Sequence, residues 1–337
     1  MNKGQVTIKD IAKLLNISSS TVSRALSNHP DISPETKKSV NDMAKQLDYR
    51  PDSIAQSLKN RRTNIIGVIV PEIKHRFFSA AISGIEDVAY GADYAIMVSQ
   101  SNESFEREQI NIRAMVSNRI AGLLISISQT TTNSDHFLQL KQRKIPFVFF
   151  DRVCEDIEAS KVVVDDFKGA FKVVEHMIQS GYTKIAHLAG PKYLSISQER
   201  INGYRSALGK YSIPLNENLI VYGGLNEEDG ICGFRKLMNA GQVPDAIFAV
   251  NDPVAIGAFE EIKRHGMKIP DDIAIAGFSN NPISFVVDPP LTTVDQHPYE
   301  VGREAARILI SEIECKTESV TTVKKVLDTT LIIRKST

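Results

Sequence analysis

Residues 6–62 read VTIKDIAKLLNISSSTVSRALSNHPDISPETKKSVNDMAKQLDYRPDSIAQSLKNRR. Apolar residues recur at helical spacing in three short segments of this stretch, and polar turns separate the segments. Thr7 can cap the first helix, with Asp10 at its third position. The turn at residues 16–18 then leads into a second helix, Ser19–Ser27. Two helices joined by so tight a turn predict a helix-turn-helix.

A third helix is predicted to begin at Pro34, with Ser33 as its cap and Glu35 near the positive end of the helix dipole. The small side chain of Ala12 lets the first two helices approach closely. The expected core of this unit consists of Ile8, Ile11, Ala12, Leu15, Val22, Ala25, Leu26, Val40, Met43, Ala44 and Leu47.

The second helix is the one expected to enter the major groove of DNA, because its outward face is polar and basic. Ser19, Ser20 and Ser23 lie near its start, and Arg24 follows one turn later. Arg24 can hold the O6 and N7 atoms of guanine with two hydrogen bonds. Two other interpretations stay open: the serines cap the helix and face solvent, and Arg24 contacts phosphate instead of a base.

The segment after the third helix resembles the hinge of the lactose-repressor family, also called the galactose-repressor family, of bacterial transcription regulators. Pro51 closes the third helix, and the following helix of about two turns is too short to be stable alone. In that family two hinge helices pair, and each inserts a leucine into the minor groove. The resemblance therefore implies that Leu58 is the wedge, Ala55 the small neighbour, and Lys59 a source of positive charge.

Composition sets the limits of the interpretation. The chain has 337 residues, of which 42% are hydrophobic and 24% charged, so two or three soluble domains are expected. The N-terminus MNKGQVTIKD carries no apolar secretory segment, and three widely spaced cysteines indicate a reducing compartment. We therefore expect a cytoplasmic, nucleoid-associated bacterial protein without a cofactor or metal.

Charge is distributed unevenly along the chain. Residues 1–64 hold 11 Lys or Arg and 6 Asp or Glu, a net charge of +5. The whole chain holds 40 of each kind, so the remainder holds 29 basic and 34 acidic residues, a net charge of −5. A basic N-terminal unit on an acidic body is typical of a module that binds a polyanion such as DNA.

From Asn64 onward, short apolar runs alternate with amphipathic helical segments, which predicts parallel, doubly wound α/β sheets. The runs are too many for one compact sheet, so we expect two similar halves with a cleft between them. The predicted strands are IIGVIVP (65–71), YAIMVSQS (94–101), AGLLISIS (121–128), PFVFFD (146–151), KVVVDD (161–166), KIAHLAG (184–190), AIFAVND (246–252) and IAIAGFS (273–279).

The family resemblance extends through this body. It is carried by TVSRAL (21–26), GIEDVA (84–89), GYTKIAHLAGP (181–191), NDPVAIGAFEEIKRHG (251–266), DDIAIAGFSNN (271–281) and PPLTTVDQ (289–296). It implies an all-α helix-turn-helix headpiece (1–50), a hinge helix and linker (51–63), and a periplasmic-binding-protein-like body for effector binding and dimerisation (64–333). The expected N-subdomain is about 64–165 and 296–323, and the expected C-subdomain about 166–295 and 324–333, so the chain should cross between them three times.

The same resemblance implies that the cleft binds a small sugar-type effector and that the protein acts as a homodimer on a palindromic operator. Effector contacts carry over to Phe77, Phe78, Asp151, Arg200, Leu225, Asn251, Asp252 and Ser279. Asn251 and Asp252 end a predicted strand, and Asp252 could instead cap the helix that follows.

Two of these positions depart from the family pattern. Relatives often carry an aspartate where this chain has Ser279, and an aromatic residue where it has Leu225. Because Arg200 remains, and His75 and Arg76 next to Phe77 add further positive potential, a positively charged cleft that favours a sugar acid or sugar phosphate is expected. In the opposing interpretation, Asp151 and Asp252 restore a site for neutral sugars.

Three classes of function are compared. The first is a ligand-responsive DNA-binding regulator, most simply a repressor of carbohydrate-utilisation genes, with the effector as inducer or corepressor. The second is a transport solute-binding protein, which the body alone would allow but residues 1–62 disfavour. The third is an enzyme, which we do not expect because the sequence contains no dinucleotide-binding glycine motif, Walker A run, HExxH or G-x-S-x-G.

Overall fold

A computed structural model describes residues 6–49, 63–315 and 321–337, and the chain divides into two compact units between Thr63 and Asn64. The hinge residues Ala55, Leu58 and Lys59 lie outside the described residues.

The N-terminal unit contains three helices, α1 (Ile8–Leu14), α2 (Ser19–Leu26) and α3 (Pro34–Gln46). Local capping sets their starts. The backbone N–H of Thr7 donates to Asp10 Oδ2 at 2.8 Å, and Ser18 Oγ accepts from the N–H of Thr21 at 3.0 Å. The turn between α1 and α2 needs a left-handed residue, which Asn16 supplies with φ of 52°.

The three helices close around a small apolar core. Ile11, Val22 and Val40, one from each helix, are fully buried, and Ala12 is 6% exposed where the first two helices meet. The predicted core is confirmed, and the second helix ends at Leu26, with Ser27 as its C-cap.

The body begins with a six-stranded parallel sheet, which forms the N-subdomain in the order β11-β5-β4-β3-β1-β2. Its strands are β1 (Ile65–Val70), β2 (Ala95–Gln100), β3 (Gly122–Ile125), β4 (Phe147–Phe150), β5 (Ser160–Val164) and β11 (Lys324–Leu327). Its helices are α4 (Arg76–Gly91), α5 (Phe105–Ser117), α6 (Asp135–Gln142) and α12 (Pro298–Glu314).

The C-subdomain is built on a four-stranded parallel sheet in the order β7-β6-β8-β9. Its strands are β6 (Ile185–Ala189), β7 (Ile220–Tyr222), β8 (Ala246–Ala249) and β9 (Ala274–Ala276). Its helices are α7 (Asp166–Gln179), α8 (Ser195–Lys210), α9 (Glu227–Asn239), α10 (Asp252–Arg264) and α11 (Ile283–Val286). Two further strands, β10 (Thr293–Asp295) and β12 (Thr330–Ile332), form a separate antiparallel pair.

The chain crosses between the subdomains three times, near residues 165, 296 and 328. The crossings are neighbours: the N–H of Asp165 donates to Leu327 O at 2.9 Å, and His297 Nε2 lies 2.9 Å from Thr330 Oγ1. The expected boundary at 324 is wrong, because β11 pairs in parallel with β5 and so belongs to the N-subdomain. The last crossing therefore follows this strand instead of preceding it.

No helix in the described ranges combines the length and apolar character needed to cross a bilayer.

Candidate functional site

The cleft between the subdomains contains a pocket where the carboxyl ends of strands from both sheets converge, the usual place for ligands in open α/β folds. It encloses about 560 Å³ of space, including solvent at its mouth. It is lined by His75, Arg76, Phe77, Phe78, Asp151, Arg152, Ile196, Arg200, Leu225, Asn251, Pro253, Ser279, Asn281 and Gln296. Of the eight predicted effector contacts, only Asp252 is absent from this wall.

Arg200 extends from α8 into the pocket wall and is 2% exposed. Its Nε and Nη2 both donate to Asp166 Oδ1, at 2.8 and 2.6 Å, and its Nη1 donates to Val250 O at 2.6 Å. The guanidinium carbon lies 3.8 Å from the centroid of the Phe278 ring. These contacts hold the guanidinium in one orientation, with a carboxylate of opposite charge beside it.

The expectation of an electropositive cleft is wrong as far as it rests on Arg200. Asp166 is 5% exposed and balances the guanidinium charge within a buried pair. Asp166 follows β5 in the run VVVDD, 34 residues before its partner, so sequence spacing gives no sign that the two meet. An anionic ligand would therefore find Arg200 already neutralised.

Asp151 is the pocket's most unusual acid. Its side chain is 8% exposed, yet in the described part of the chain its carboxylate accepts no hydrogen bond, and Arg152 Nε is 3.9 Å away. Burial raises the pKa of Asp151 to about 6, which Arg152 counteracts only partly. A carboxylate held in this way is ready to accept hydrogen bonds from a ligand's hydroxyl or amine groups.

Arg152 is a wall residue that sequence reasoning missed, although it directly follows Asp151 in the run FFDR. Its Nη1 donates to both carboxylate oxygens of Glu103, at 2.8 and 2.9 Å. Its guanidinium carbon is 5.7 Å from the centroid of the Phe78 ring. The charge of Arg152 is thus also balanced by a neighbouring carboxylate.

The apolar part of the wall comes from two places. Phe77 and Phe78, at the start of α4, meet edge to face with ring centroids 5.3 Å apart. Leu225, 5% exposed, lies on the C-subdomain side. The Phe pair offers a surface for the C–H face of a sugar or for a flat base. Gln296, 2% exposed at the second crossing, adds an amide that a sequence-only argument had not identified.

Asn251 caps α10 and also lines the pocket. Its Oδ1 accepts from the N–H of Val254 at 2.9 Å, and its Nδ2 donates to Leu225 O at 2.8 Å. The capping role and the position in the wall therefore coexist.

Asp252 is not brought to the pocket, and its expected effector contact is a correction to the sequence interpretation. It is fully buried, and its carboxylate accepts from Thr293 Oγ1 at 2.6 Å, from the N–H of Asn281 at 2.6 Å and from Ser284 Oγ at 2.7 Å. A Cβ on Gly277 would lie 2.2 Å from Asp252 Oδ1, so this carboxylate also requires a glycine beside it. Asp252 anchors the loop after β9, which carries two wall residues.

Ser279 occupies that loop in a backbone conformation that L residues rarely adopt, with φ of 123°. Its N–H donates to Val294 O at 2.8 Å, and the next residue, Asn280, is bound by Arg334 Nη2 at 2.7 Å. Strain of this kind costs about 1–3 kcal/mol and persists where neighbouring contacts enforce it. These contacts hold the backbone of Ser279 at the pocket wall.

In the N-terminal unit, the outward side chains of α2 form the candidate DNA-binding face. Ser19, Ser20 and Arg24 are exposed, and Ser23 is half-buried. Ser20 Oγ lies 2.7 Å from the Oγ of the capping Ser18, which indicates that Ser20 takes part in the capping network. Arg24 is exposed, and its guanidinium forms no hydrogen bond or ion pair within the described residues, so it can reach a base or phosphate.

Comparisons with known proteins give a match for each of the two units. Residues 7–52 match the bacterial regulatory proteins of the lacI family, and residues 174–337 match a periplasmic binding protein-like domain. The HTH-type transcriptional repressor CytR of Escherichia coli strain K12 is 31% identical over 331 residues, covering 98% of this chain and 96% of CytR. The chain belongs to the lacI family of bacterial regulatory proteins.

Other matches agree with this assignment. Catabolite control protein A of Priestia megaterium is 32% identical over 305 residues, covering 90% of this chain and 91% of that protein. The structure of the transcriptional regulator CelR in complex with cellobiose superposes with a TM-score of 0.74 at 25% identity, covering 99% of this chain and 100% of that one. The lac repressor dimer bound to operator and an anti-inducer shares the fold, with a TM-score of 0.83 at 24% identity over 99% of both chains.

The expected fold class is confirmed: a helix-turn-helix unit precedes a periplasmic-binding-protein-like body with two parallel sheets. The chain is a DNA-binding transcriptional regulator with an effector-binding body. The individual DNA and effector contacts remain predictions.

Proposed function

We propose that this lacI-family regulator is a repressor that binds a palindromic operator as a homodimer and is switched by a small hydroxyl-rich effector in the pocket of its body. Its site of action is then the cytoplasm, on nucleoid DNA, and we propose no enzymatic activity. Family membership supports the regulatory role, and the lac repressor match is a dimer on its operator. The two-fold symmetry of a dimer predicts two equivalent half-sites.

The state of Asp151 is the observation that carries the proposed effector class. The two buried arginines of the wall, Arg200 and Arg152, are matched by Asp166 and Glu103, and the third, Arg76, is exposed. The buried carboxylate of Asp151, by contrast, lacks a hydrogen-bond donor in the described residues. An anion would be repelled by this carboxylate, while hydroxyl groups would satisfy it. We therefore propose a sugar or nucleoside effector in preference to a sugar acid or phosphate.

The aromatic and amide groups of the wall suit the same class. Phe77 and Phe78 provide an apolar face on the N-subdomain, Asn251 provides an amide on the C-subdomain, and Gln296 provides another at the second crossing. A ligand that contacts both subdomains binds more tightly to the closed cleft than to the open one. It can shift the equilibrium between the two conformations only by this difference in affinity.

On the DNA side, we propose that Arg24 reads one base pair per half-site while Ser19, Ser20 and Ser23 contact bases or phosphates at short range. Leu58, with Ala55 and Lys59, is proposed to act in the minor groove between paired hinge helices. Closure of the cleft would change whether these hinges can pair.

The test measures operator affinity by fluorescence anisotropy on a palindrome obtained by in vitro selection. Neutral sugars and nucleosides are compared with the uronate or phosphate of the same molecule. We expect at least one neutral compound to change operator affinity, with no response to its anionic counterpart. A response only to the anionic member would refute the proposed effector class, and the absence of a selected palindrome would refute the proposed mode of DNA binding.

A further inference from the structure

Next to the effector pocket lies a second space, here called the acidic compartment. It encloses about 840 Å³, including its open mouth, and shares Asp151 with the effector pocket. Its lining residues are Asp151, Glu155, Val163, Val164, Asp165, Asp166, Phe167, Ser195, Gln198, Glu199, Lys324 and Val326. Because one side chain belongs to both walls, the two spaces are neighbours.

Charge in the acidic compartment is not balanced. Asp166 is paired with Arg200, and Glu155 is paired with Lys161 at 2.6 Å and with Lys324 at 3.6 Å. Asp151 has a more distant cationic neighbour, Arg152, whose Nε is 3.9 Å away. The remaining carboxylates belong to Asp165 and Glu199.

Neither Asp165 nor Glu199 forms an ion pair with a cationic side chain in the described ranges. Asp165 caps α7, and its carboxylate accepts a hydrogen bond from the N–H of Lys168 at 2.9 Å. Lys168 itself directs its ammonium group to Asp328, at 2.8 Å. The compartment therefore offers uncompensated negative charge to whatever enters it.

Asp151 independently indicates a ligand. Its side chain is more than nine-tenths buried, lies in the wall between the two spaces and receives no hydrogen bond in the described part of the protein. Polar groups as buried as this one normally have a partner. A donor supplied by the ligand at the junction would satisfy it.

The compartment also has an apolar side. Phe167 is 38% exposed and Val326 50% exposed, although both lie in the wall of a cleft. An aromatic ring next to carboxylates is an arrangement that favours an organic cation, because the ring face and the carboxylates both attract positive charge. A metal ion would gain nothing from this apolar surface.

We propose that the acidic compartment binds a protonated amine on the distal part of an elongated effector, as in a disaccharide of amino sugars. One ring occupies the effector pocket, and the amine of the other ring is held by Asp165, Glu199 and Asp151. This inference rests on the proposed effector function, which it deepens by naming a second subsite.

The experiment is calorimetry on the full chain with two matched probes. One is cellobiose, and the other is the glucosamine disaccharide, which has the same linkage but an amine in place of one hydroxyl on each ring. We expect the amine probe to bind at least about tenfold more tightly, since a charge-assisted hydrogen bond is roughly twice as strong as a neutral one. Glu199→Gln and Asp165→Asn should each reduce its affinity several-fold, with a clearly smaller loss for cellobiose, which presents a neutral hydroxyl in place of the amine.

Asp271→Asn is the matched control, because Asp271 is exposed and lies outside the cleft, so the same loss of charge should change neither affinity. Asparagine can still cap α7, so Asp165→Asn should fold normally. Equal affinity for the two probes, tighter binding of cellobiose, equal losses for both probes in the variants, or no binding of either probe would each overturn the acidic compartment as an amine site. The operator assay with the wider panel decides the proposed effector function separately.

Discussion

Replacement of Asp151 by Asn should stabilise the body while impairing its response to effector. The ordinary pKa of an aspartate is 3.8, and burial raises that of Asp151 to about 6. The folded protein therefore keeps the proton at pH values where the unfolded chain has lost it. The free energy of unfolding of the protein therefore falls as the pH rises from 3.8 to about 6, and it stays at the lower value above this range.

The size of the effect follows from the same two pKa values. Each pKa unit corresponds to about 1.4 kcal/mol, so ionised Asp151 costs the folded state no more than about 3 kcal/mol at pH 7.5. Asn removes this cost, and because Asn tolerates positive φ it fits the backbone of residue 151, where φ is 60°. At pH 5.0, where Asp151 is mostly protonated in the folded state, the gain should shrink to about half.

Urea unfolding of the wild type and of Asp151→Asn measures the gain in stability at pH 7.5 and at pH 5.0. Asp93→Asn is the control, because Asp93 has a similar φ of 61° but is exposed, so no gain is expected at either pH. The reasoning would be refuted if Asp151→Asn were less stable than wild type at pH 7.5, or if its gain did not decrease at pH 5.0. In the operator assay, the same variant should lose the effector response, because an amide replaces the anionic acceptor.

Three further predictions concern the DNA contacts and the buried ion pair. Leu58→Ala should sharply weaken operator binding in gel shifts while calorimetry shows unchanged effector affinity, because the wedge acts only on DNA. Arg24→Ala should reduce the free energy of operator binding by about 1–3 kcal/mol and relax the preference for one base per half-site. Lys59→Ala should instead weaken binding to all DNA sequences alike and reduce the dependence of affinity on salt concentration. An equal loss of affinity for every operator variant in Arg24→Ala would contradict base reading. Arg200→Ala should destabilise the body by about 3–5 kcal/mol, because Asp166 is left buried and unpaired, and adding Asp166→Asn should recover part of that loss in urea unfolding. Unchanged stability of the single variant, or no recovery in the double variant, would argue against the pair.

Local signals in the sequence predicted local structure well. The caps at Thr7 and Ser18 involve residues three positions away, so a short window contains the whole interaction. The wall residues Asp151, Asn251 and Ser279 could be proposed because they end or follow predicted strands, and parallel strands bring their carboxyl ends to one edge.

Distant partners could not be predicted in this way. Asn251 and Asp252 are adjacent and both polar, yet the contacts that bury Asp252 come from Ser284 and Thr293, more than thirty positions away. In the same way the charge of Arg200 is cancelled by a residue on another helix. Strand β11 was missed because its four residues, KKVL, are polar at the start and mostly exposed, so they lack the apolar run that marked the central strands.

The three neighbouring crossings determine what kind of motion the body can make. Three connections side by side behave as a door hinge: they permit rotation about their common line and resist sliding of one half along the other. Binding of a ligand anywhere in the cleft therefore changes the same variable, the angle of rotation between the two subdomains. Effectors of different length would differ in how far they turn that angle, and so in the strength of the response, without needing separate routes to the DNA-binding unit.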